Sequence, residues 1–255
     1  MRYEDRHAVI TGGAKGIGLS TVRAFIREGA RVSVFDVDDS AQQLAVEFPG
    51  KATFHRVDVS IAREVNDAVK RAIDVYGDIS YLINNAGIRT YGTCADCTED
   101  EWDRTMNINL KSAFLCSKAC IPSMQKNGKG VVINLSSVQA FVSQNQVAAY
   151  TTSKTAMLGL TRSIAADYAP AIRCVAVCPG TVDTPMLRGS IHLSPDPAAV
   201  LQECHDMHPV KRIGTPDEVA ELILFLCSDD AGFITGQPIR IDGGLGLSIG
   251  GSKRE

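Results

Sequence analysis

Tyr150 and Lys154 lie four residues apart in the segment AAYTTSKTAMLGLTRSIAADY. The segment is Ala-rich, its apolar residues recur at intervals of three and four, and it reads as one helix. Positions i and i+4 share a helical face, so the ammonium can sit close to the phenol. A tyrosine ordinarily titrates near 10, and a neighbouring cation favours its phenolate. A shift of roughly 3 units requires about 4 kcal/mol of differential stabilisation. Such a tyrosine becomes a proton acceptor usable near neutral pH. Taken alone, the spacing is a common chance pattern on a solvated helix face, and its setting is what gives it weight. Thirteen residues upstream, the run Gly130–Leu135 ends in Ser136-Ser137. A hydroxyl at a strand tip, Ser137, can hydrogen-bond an oxygen on which charge develops. Asn109, in MNINLKSAF, belongs either to this constellation or to the helix as a bending polar residue.

A second cluster lies near the start. The apolar run His7–Thr11 is followed by Gly12-Gly13-Ala14-Lys15-Gly16-Ile17-Gly18. Glycines at 12, 16 and 18 permit a tight turn and a close backbone approach to a pyrophosphate. The helix opening at Ile17 aims free N–H groups at the anion. A lone glycine-rich turn is weak, since any strand-to-helix turn can carry glycine, but its place after a strand and before an amphipathic helix strengthens it. The second strand ends at Asp36, 18 residues beyond Gly18. A carboxylate there accepts bonds from ribose hydroxyls and repels a 2′-phosphate, which favours NAD over NADP. Lys15 dissents, because a cation in this turn could meet that phosphate. Asp36 is weighed more heavily.

The elements that must hold these residues follow from periodicity. Apolar, β-branched runs at His7–Thr11, Arg31–Asp36, Thr53–Val57, Tyr81–Asn84, Gly130–Leu135, Arg173–Cys178 and Pro238–Ile241 alternate with helix-period segments. Runs apolar at nearly every position suit strands covered on both faces. The alternation predicts an α/β fold: a doubly wound, seven-stranded parallel sheet with helices on both faces, in one catalytic domain spanning 1–255. Residues 185–212 interrupt the alternation. Pro195 and Pro197 break any long helix there, and the segment reads as a substrate lid.

Composition sets the outer bounds. The 255 residues are 45% apolar and 22% charged, with a net charge of −3, so no basic footprint for nucleic acid or anionic lipid exists. No run of 18 apolar residues is present, and the start MRYEDRHAVITGG lacks the core of a signal peptide, so the expected location is the cytoplasm. The eight cysteines include one CxxC, Cys94 and Cys97, with no second CxxC or paired histidines to complete a zinc site. They are read as reduced thiols, with no metal.

Together these residues resemble the short-chain dehydrogenase/reductase family, in its form of about 250 residues. The matches are TGGAKGIG at 11–18, Asp58-Val59, NNAG at 84–87, Asn109, Ser137, Tyr150 with Lys154, Pro179-Gly180 and IDGG at 241–244. The resemblance implies roles. Tyr150 would exchange a proton with the substrate oxygen and Ser137 would hold that oxygen. Lys154 would lower the Tyr150 pKa and bind the nicotinamide ribose, and Asn109 would place a water linking Lys154 to solvent. Asp58 and Val59 would meet the adenine. Asn85, Ala86 and Gly87 would line the cofactor cleft. Pro179, Gly180, Val182 and Thr184 would cover the nicotinamide. The implied reaction is hydride transfer between NAD and a secondary alcohol or its ketone, without a metal.

The substrate is read from the loop Val138–Gln146 and the lid. Gln139, Gln144 and Asn145 suit hydroxyl groups, and Arg89 and Arg188 suit a carboxylate. His192, His205 and His208 are lesser candidates, more simply solvated or capping residues. Among family members the pattern looks most like those acting on sugars, sugar acids or polyols. A 3-oxoacyl-[acyl-carrier-protein] reductase is the alternative within the family, against which Asp36 speaks. A non-catalytic nucleotide-binding or sensor protein is the alternative outside it. The resemblance also implies a homotetramer built through the helices near Glu99–Lys126 and Ala149–Tyr168, with the glycine-rich tail Gly243–Gly251 at a subunit contact.

Overall fold

The computed structural model describes residues 1–247. Seven strands form one sheet in the order β3-β2-β1-β4-β5-β6-β7. They are β1 (His7–Thr11), β2 (Arg31–Asp36), β3 (Ala52–Arg56), β4 (Tyr81–Asn84), β5 (Gly130–Leu135), β6 (Ile172–Pro179) and β7 (Pro238–Ile241). Every pairing is parallel. The expected doubly wound sheet is present. β3 begins and ends one residue earlier than the apolar run suggested, and β6 extends by one residue at each end.

The strands are largely apolar because both faces are covered, and polar side chains they bury, such as His7, Ser33 and Asn134, are hydrogen-bonded. Ala8 and Ile10 of β1 join one core with α1 (Gly16–Arg27) and the helix Pro216–Cys227. Val9, between them, enters the opposite core with the helices Ala62–Tyr76, Ser112–Lys126 and Ala148–Tyr168. Alternate residues of a strand point to opposite faces, so a doubly covered strand has no position left for a polar side chain without a partner. In order along the chain the remaining helices are α2 (Gln42–Glu47), α3 (Ala62–Tyr76), α4 (Glu99–Met106), α5 (Ser112–Lys126), α6 (Ala148–Tyr168), α7 (Pro185–His192), α8 (Pro197–Asp206) and α9 (Pro216–Cys227).

Three local features position the site. The helical stretch 99–126 is continuous but contains a π turn at Asn107–Lys111, centred on Asn109. Such turns shift the phase of a helix and recur at functional sites. Thr98 opens the stretch with a reciprocal cap to Glu101. Residues 185–212 form two short helices, α7 and α8, each with proline in its first turn.

Among the described residues no helix is long and apolar enough to cross a membrane, and no group of three or more His, Cys, Asp or Glu could hold a metal ion. All eight cysteines are free, six of them buried. The tail beyond 247, part of the expected subunit contact, lies outside the described residues.

Candidate active site

The order of the sheet reverses between β1 and β4, and the carboxyl ends of the strands open there into a cavity of about 860 Å³. Ligands in open α/β sheets bind at this crevice. Its lining runs from the glycine turn and Asp36 through Asn85–Arg89 to Ser137, Tyr150 and Lys154, and α7 and α8 cover it.

The glycine turn is built for close approach. Gly12 and Gly16 have φ of 64° and 54°, where a side chain is strained. A Cβ on Gly18 would fall 2.1 Å from the Gly12 carbonyl oxygen, so the helix can start here only with glycine. Thr11 braces the turn from below: its hydroxyl accepts the backbone N–H of Asn85 and of Ala86, both at 3.0 Å. Asn85 returns the contact, donating Nδ2 to the carbonyls of Thr11 (3.0 Å) and Gly12 (2.9 Å). The Asn85 side chain is therefore committed to holding β1 against β4, and the residue also borders the cavity. Thr11 was not picked out in the sequence because a buried threonine at a strand end is ordinary until its partners, more than 70 residues away, are known.

At the end of β2, Asp36 accepts the Ala14 N–H at 2.9 Å and the Asp38 N–H at 3.0 Å. The carboxylate is thus fixed against the glycine turn. Lys15 meets Asp38 at 2.5 Å rather than standing free. The Lys15 ammonium beside it holds the Asp38 carboxyl well below the usual range, and Asp38 in turn raises the lysine. In the run DVDD, three acids within four positions offer no local sign of which one takes the lysine. Asp58 accepts from the Ser60 N–H (2.9 Å) and hydroxyl (2.6 Å) and borders the cavity with Val59.

The helix α6 places Tyr150 and Lys154 on one face, with Nζ 5.6 Å from the phenol ring centroid. Nζ donates to the Leu135 carbonyl at 2.8 Å, and Ser136 donates to the Lys154 carbonyl at 2.7 Å, tying β5 to α6. Burial pulls the Lys154 amine down to about 8, so it still carries a proton at pH 7. Burial pushes the Tyr150 phenol up, opposed by a hydrogen bond with Ser137 and by the charge of Arg89. The four-residue spacing had assigned that opposing charge to Lys154. The structure gives it instead to Arg89, 61 positions away in sequence, with its guanidinium 5.9 Å from the Tyr150 ring centroid.

Asn109 is fully buried behind the cavity wall. It clamps Ile88 by accepting its N–H (2.8 Å) and donating to its carbonyl (2.9 Å), and it donates to Ser153 at 3.1 Å. Gly87 lies beside it. A Cβ there would sit 3.4 Å from Asn109 Oδ1 and 3.5 Å from Lys154 Nζ, so glycine leaves open the gap between these two polar groups.

Pro179, at the end of β6, and Gly180, Val182 and Thr184, after it, border the cavity. Thr184 caps α7, accepting the Leu187 N–H at 3.3 Å. His208, one of the lid histidines, is buried away from the cavity. Its Nδ1 meets the Cys204 carbonyl at 2.6 Å and its Nε2 accepts the Thr181 N–H at 3.2 Å. His208 thereby fastens the end of α8 to the loop after β6.

The substrate candidates divide. Arg89, Gln139 and Gln144 border the cavity. Gln144 Oε1 accepts from both Arg89 Nη2 and Gln139 Nε2, so the amides are partly consumed by one another. Asn145 and Arg188 do not border it: Asn145 is exposed, and Arg188 is held by Asp183 through two bonds of 2.8 and 2.9 Å. An acid five residues upstream on the same turn captures Arg188 before it can reach inward. The part of the lining contributed by α7, α8 and the residue after α8 is mostly apolar, including Leu187, Ile191, Val200 and Met207.

The family model described as Enoyl-(Acyl carrier protein) reductase matches residues 12–246. Rat "Dehydrogenase/reductase SDR family member 6" is 38% identical, with 96% of this chain and 99% of the relative covered. The chain is a short-chain dehydrogenase/reductase. "2-(S)-hydroxypropyl-CoM dehydrogenase 3" of Xanthobacter autotrophicus is 36% identical over 96% of this chain and 98% of its own. The solved aldohexose dehydrogenase of Thermoplasma acidophilum superposes with a TM-score of 0.93 at 37% identity, covering 99% of this chain and 98% of that one. Short-chain dehydrogenase/reductases are oxidoreductases that act on CH–OH groups with a nicotinamide cofactor. The residues present fit such a cofactor: the left-handed glycines, the free N–H groups opening α1, the fixed Asp36 and the buried Lys154 all border one cavity.

Proposed function

We propose that the protein is an NAD-dependent dehydrogenase/reductase of small polar secondary alcohols and their ketones, with a sugar, polyol or sugar acid as substrate. The carrying observation is that Ser137, Tyr150 and Lys154 border the same cavity as the glycine turn and Asp36. When bound, the nicotinamide supplies the hydride acceptor or donor. Ser137 and Tyr150 hold the substrate oxygen from one side. In oxidation Tyr150 acts as its phenolate, which the Ser137 bond and the charge of Arg89 favour against burial, and takes the hydroxyl proton as the carbinol carbon gives up its hydride; in reduction the phenol donates its proton to the oxygen. Lys154, protonated at neutral pH, offers two N–H bonds besides the one to Leu135, enough to fix a ribose diol. Asn109 keeps the Ile88 backbone in place and, across Gly87, faces the lysine through a gap that suits a water.

NAD rather than NADP is supported by Asp36, whose charge is anchored by two backbone N–H groups, and by Asp38, which engages Lys15. The sugar class is supported by the likeness to an aldohexose dehydrogenase. The reading includes a cytoplasmic homotetramer with no nucleic-acid or membrane partner, associating through the stretch 99–126 and α6. The test is Tyr150→Phe assayed with NAD and a panel of aldoses, polyols and hydroxy acids. Turnover is expected to fall by about 1,000-fold or more while NADH still binds. Retention of more than a few per cent of the rate would refute the assignment.

A further inference from the structure

The cavity wall is electrically lopsided. Its carboxylates, Asp36, Asp38 and Asp58, stand at the end formed by β2 and β3, whereas Arg89, Arg104 and Lys154 stand at the other. The cation at the first end, Lys15, is answered by Asp38. Arg89 has no such answer among the described residues. One amino group donates to the neutral amide of Gln144, and its buried Nε has no acceptor. The guanidinium carbon lies 4.9 Å from the Tyr91 ring centroid and 5.9 Å from that of Tyr150. Ring faces attract a cation, but they do not accept its in-plane N–H bonds. A half-buried guanidinium with open donors calls for a counter-charge. Its planar fork matches a carboxylate through two parallel bonds.

Resting on the reading of Tyr150 as the proton-transfer group, the geometry points to a substrate that carries a carboxylate: a hydroxy acid, or its oxo acid, whose anionic end is held by Arg89. The guanidinium lies beside the Tyr150 ring, so the carboxylate is only a few bonds from the reacting carbon. Leu187, Ile191, Val200 and Met207 line the same cavity, and apolar surface of this kind lowers the local dielectric and strengthens an ion pair. The loop carrying Gln144 is pinned to the segment carrying Arg89, because Gly92 N–H donates to the Gln146 carbonyl at 2.8 Å. The arginine is therefore held in place before the ligand arrives. A neutral sugar can accept its N–H bonds but leaves its charge unanswered.

Calorimetric binding of matched probes tests this, with NADH present and absent. One pair is 3-oxobutanoate and its methyl ester, and the other is D-gluconate and D-glucose. The first acid is aliphatic and the second is a sugar acid, so the acid that binds identifies the source of the carboxylate. At least one acid is expected to bind about thirtyfold more tightly than its neutral counterpart. Arg89→Met should bring that preference to within about threefold, and Arg89→Lys should retain an intermediate value because it keeps the charge and loses the fork. The inference is overturned if neither acid is preferred, or if the preference survives Arg89→Met. Tyr150→Phe separates this site from the proton-transfer reading: it should keep the acid preference while losing turnover. An unimpaired Tyr150→Phe enzyme that still prefers the acid removes the role of Tyr150 and leaves the anion site standing.

Discussion

The two ends of the cavity are organised on opposite principles. Around the glycine turn almost every polar group already has an internal partner: Asp36 takes two backbone N–H groups, Asn85 and Thr11 bind β1 to β4, and Lys15 is paired with Asp38. Around Tyr150 the groups are held away from their comfortable states. Burial raises the phenol and lowers the lysine, and Arg89 keeps a donor without an acceptor. A rigid, self-satisfied frame suits a cofactor of fixed shape, because little has to reorganise on binding. A site whose charges are poorly solvated stabilises charge that appears only during reaction. The difference predicts that mutations of the paired acids at one end change which cofactor is chosen, and that loss of the buried charge at the other exchanges activity for stability.

After the loss of the Tyr150 phenol itself, the largest effect is expected at Lys154. A buried amine whose pKa has fallen from 10.5 to about 8 bears a desolvation cost of about 3 kcal/mol at neutral pH. Removing its bond to the Leu135 carbonyl costs about 1–3 kcal/mol in return. Lys154→Met should therefore lose turnover by about 100-fold or more while its Tm is unchanged or rises by a few degrees. Steady-state kinetics and calorimetry check the two together. A Tm that drops sharply would show that the lysine is a structural brace, and the contrast between the ends would fail.

At the other end the effect is one of choice. Asp36→Asn removes the charge but keeps an acceptor for the turn. It should shift the NADP-to-NAD ratio of kcat/KM upward by about tenfold or more. Asp38→Asn, which releases Lys15, should shift the ratio in the same direction by less. Equal ratios in the wild type and both variants would mean that neither acid discriminates.

The smallest effect lies outside the cavity and asks whether burial carries the same cost where no chemistry is needed. His7 bonds to the Gly77 carbonyl and Ser33, and the chain continues through Thr53 to His55. Burial lowers both imidazoles from 6.5 to about 4. Between pH 6.5 and 4 the unfolded chain takes up protons that the native state refuses, so stability is complete above about pH 6.5 and declines as pH falls towards 4. The decline is at most about 1.4 kcal/mol per pH unit for each histidine. Urea unfolding at pH 7, 6 and 5 should show it, with a shallower decline in His55→Gln. Identical slopes in the two proteins would place the pH dependence elsewhere.

Local order was legible and long-range pairing was not. The strands, the glycine turn, Asp36 and the shared face of Tyr150 and Lys154 follow from periods and spacings within a few residues. The break in helix at 185–212 followed from two prolines. Arg188 shows the limit: its type suited a carboxylate, and the carboxylate it found was Asp183 beside it. Gln144 and Gln139 suited hydroxyls and found each other and Arg89. Asn109 was identified by its motif, but its place behind the wall, clamping Ile88 from within a π turn, needed the packed helix.

By itself, then, the amino-acid sequence determined the class of fold, the glycine turn after β1 and the shared helical face of Tyr150 and Lys154, because each depends on backbone geometry repeated along one segment of chain. Only the tertiary structure decided which charges remain open. Arg89 reaches Tyr150, and Lys15 is taken by Asp38, because two strand ends and a loop converge at the point where the sheet reverses its order. Charge compensation depends on distance through space, and that distance is set by how the segments pack.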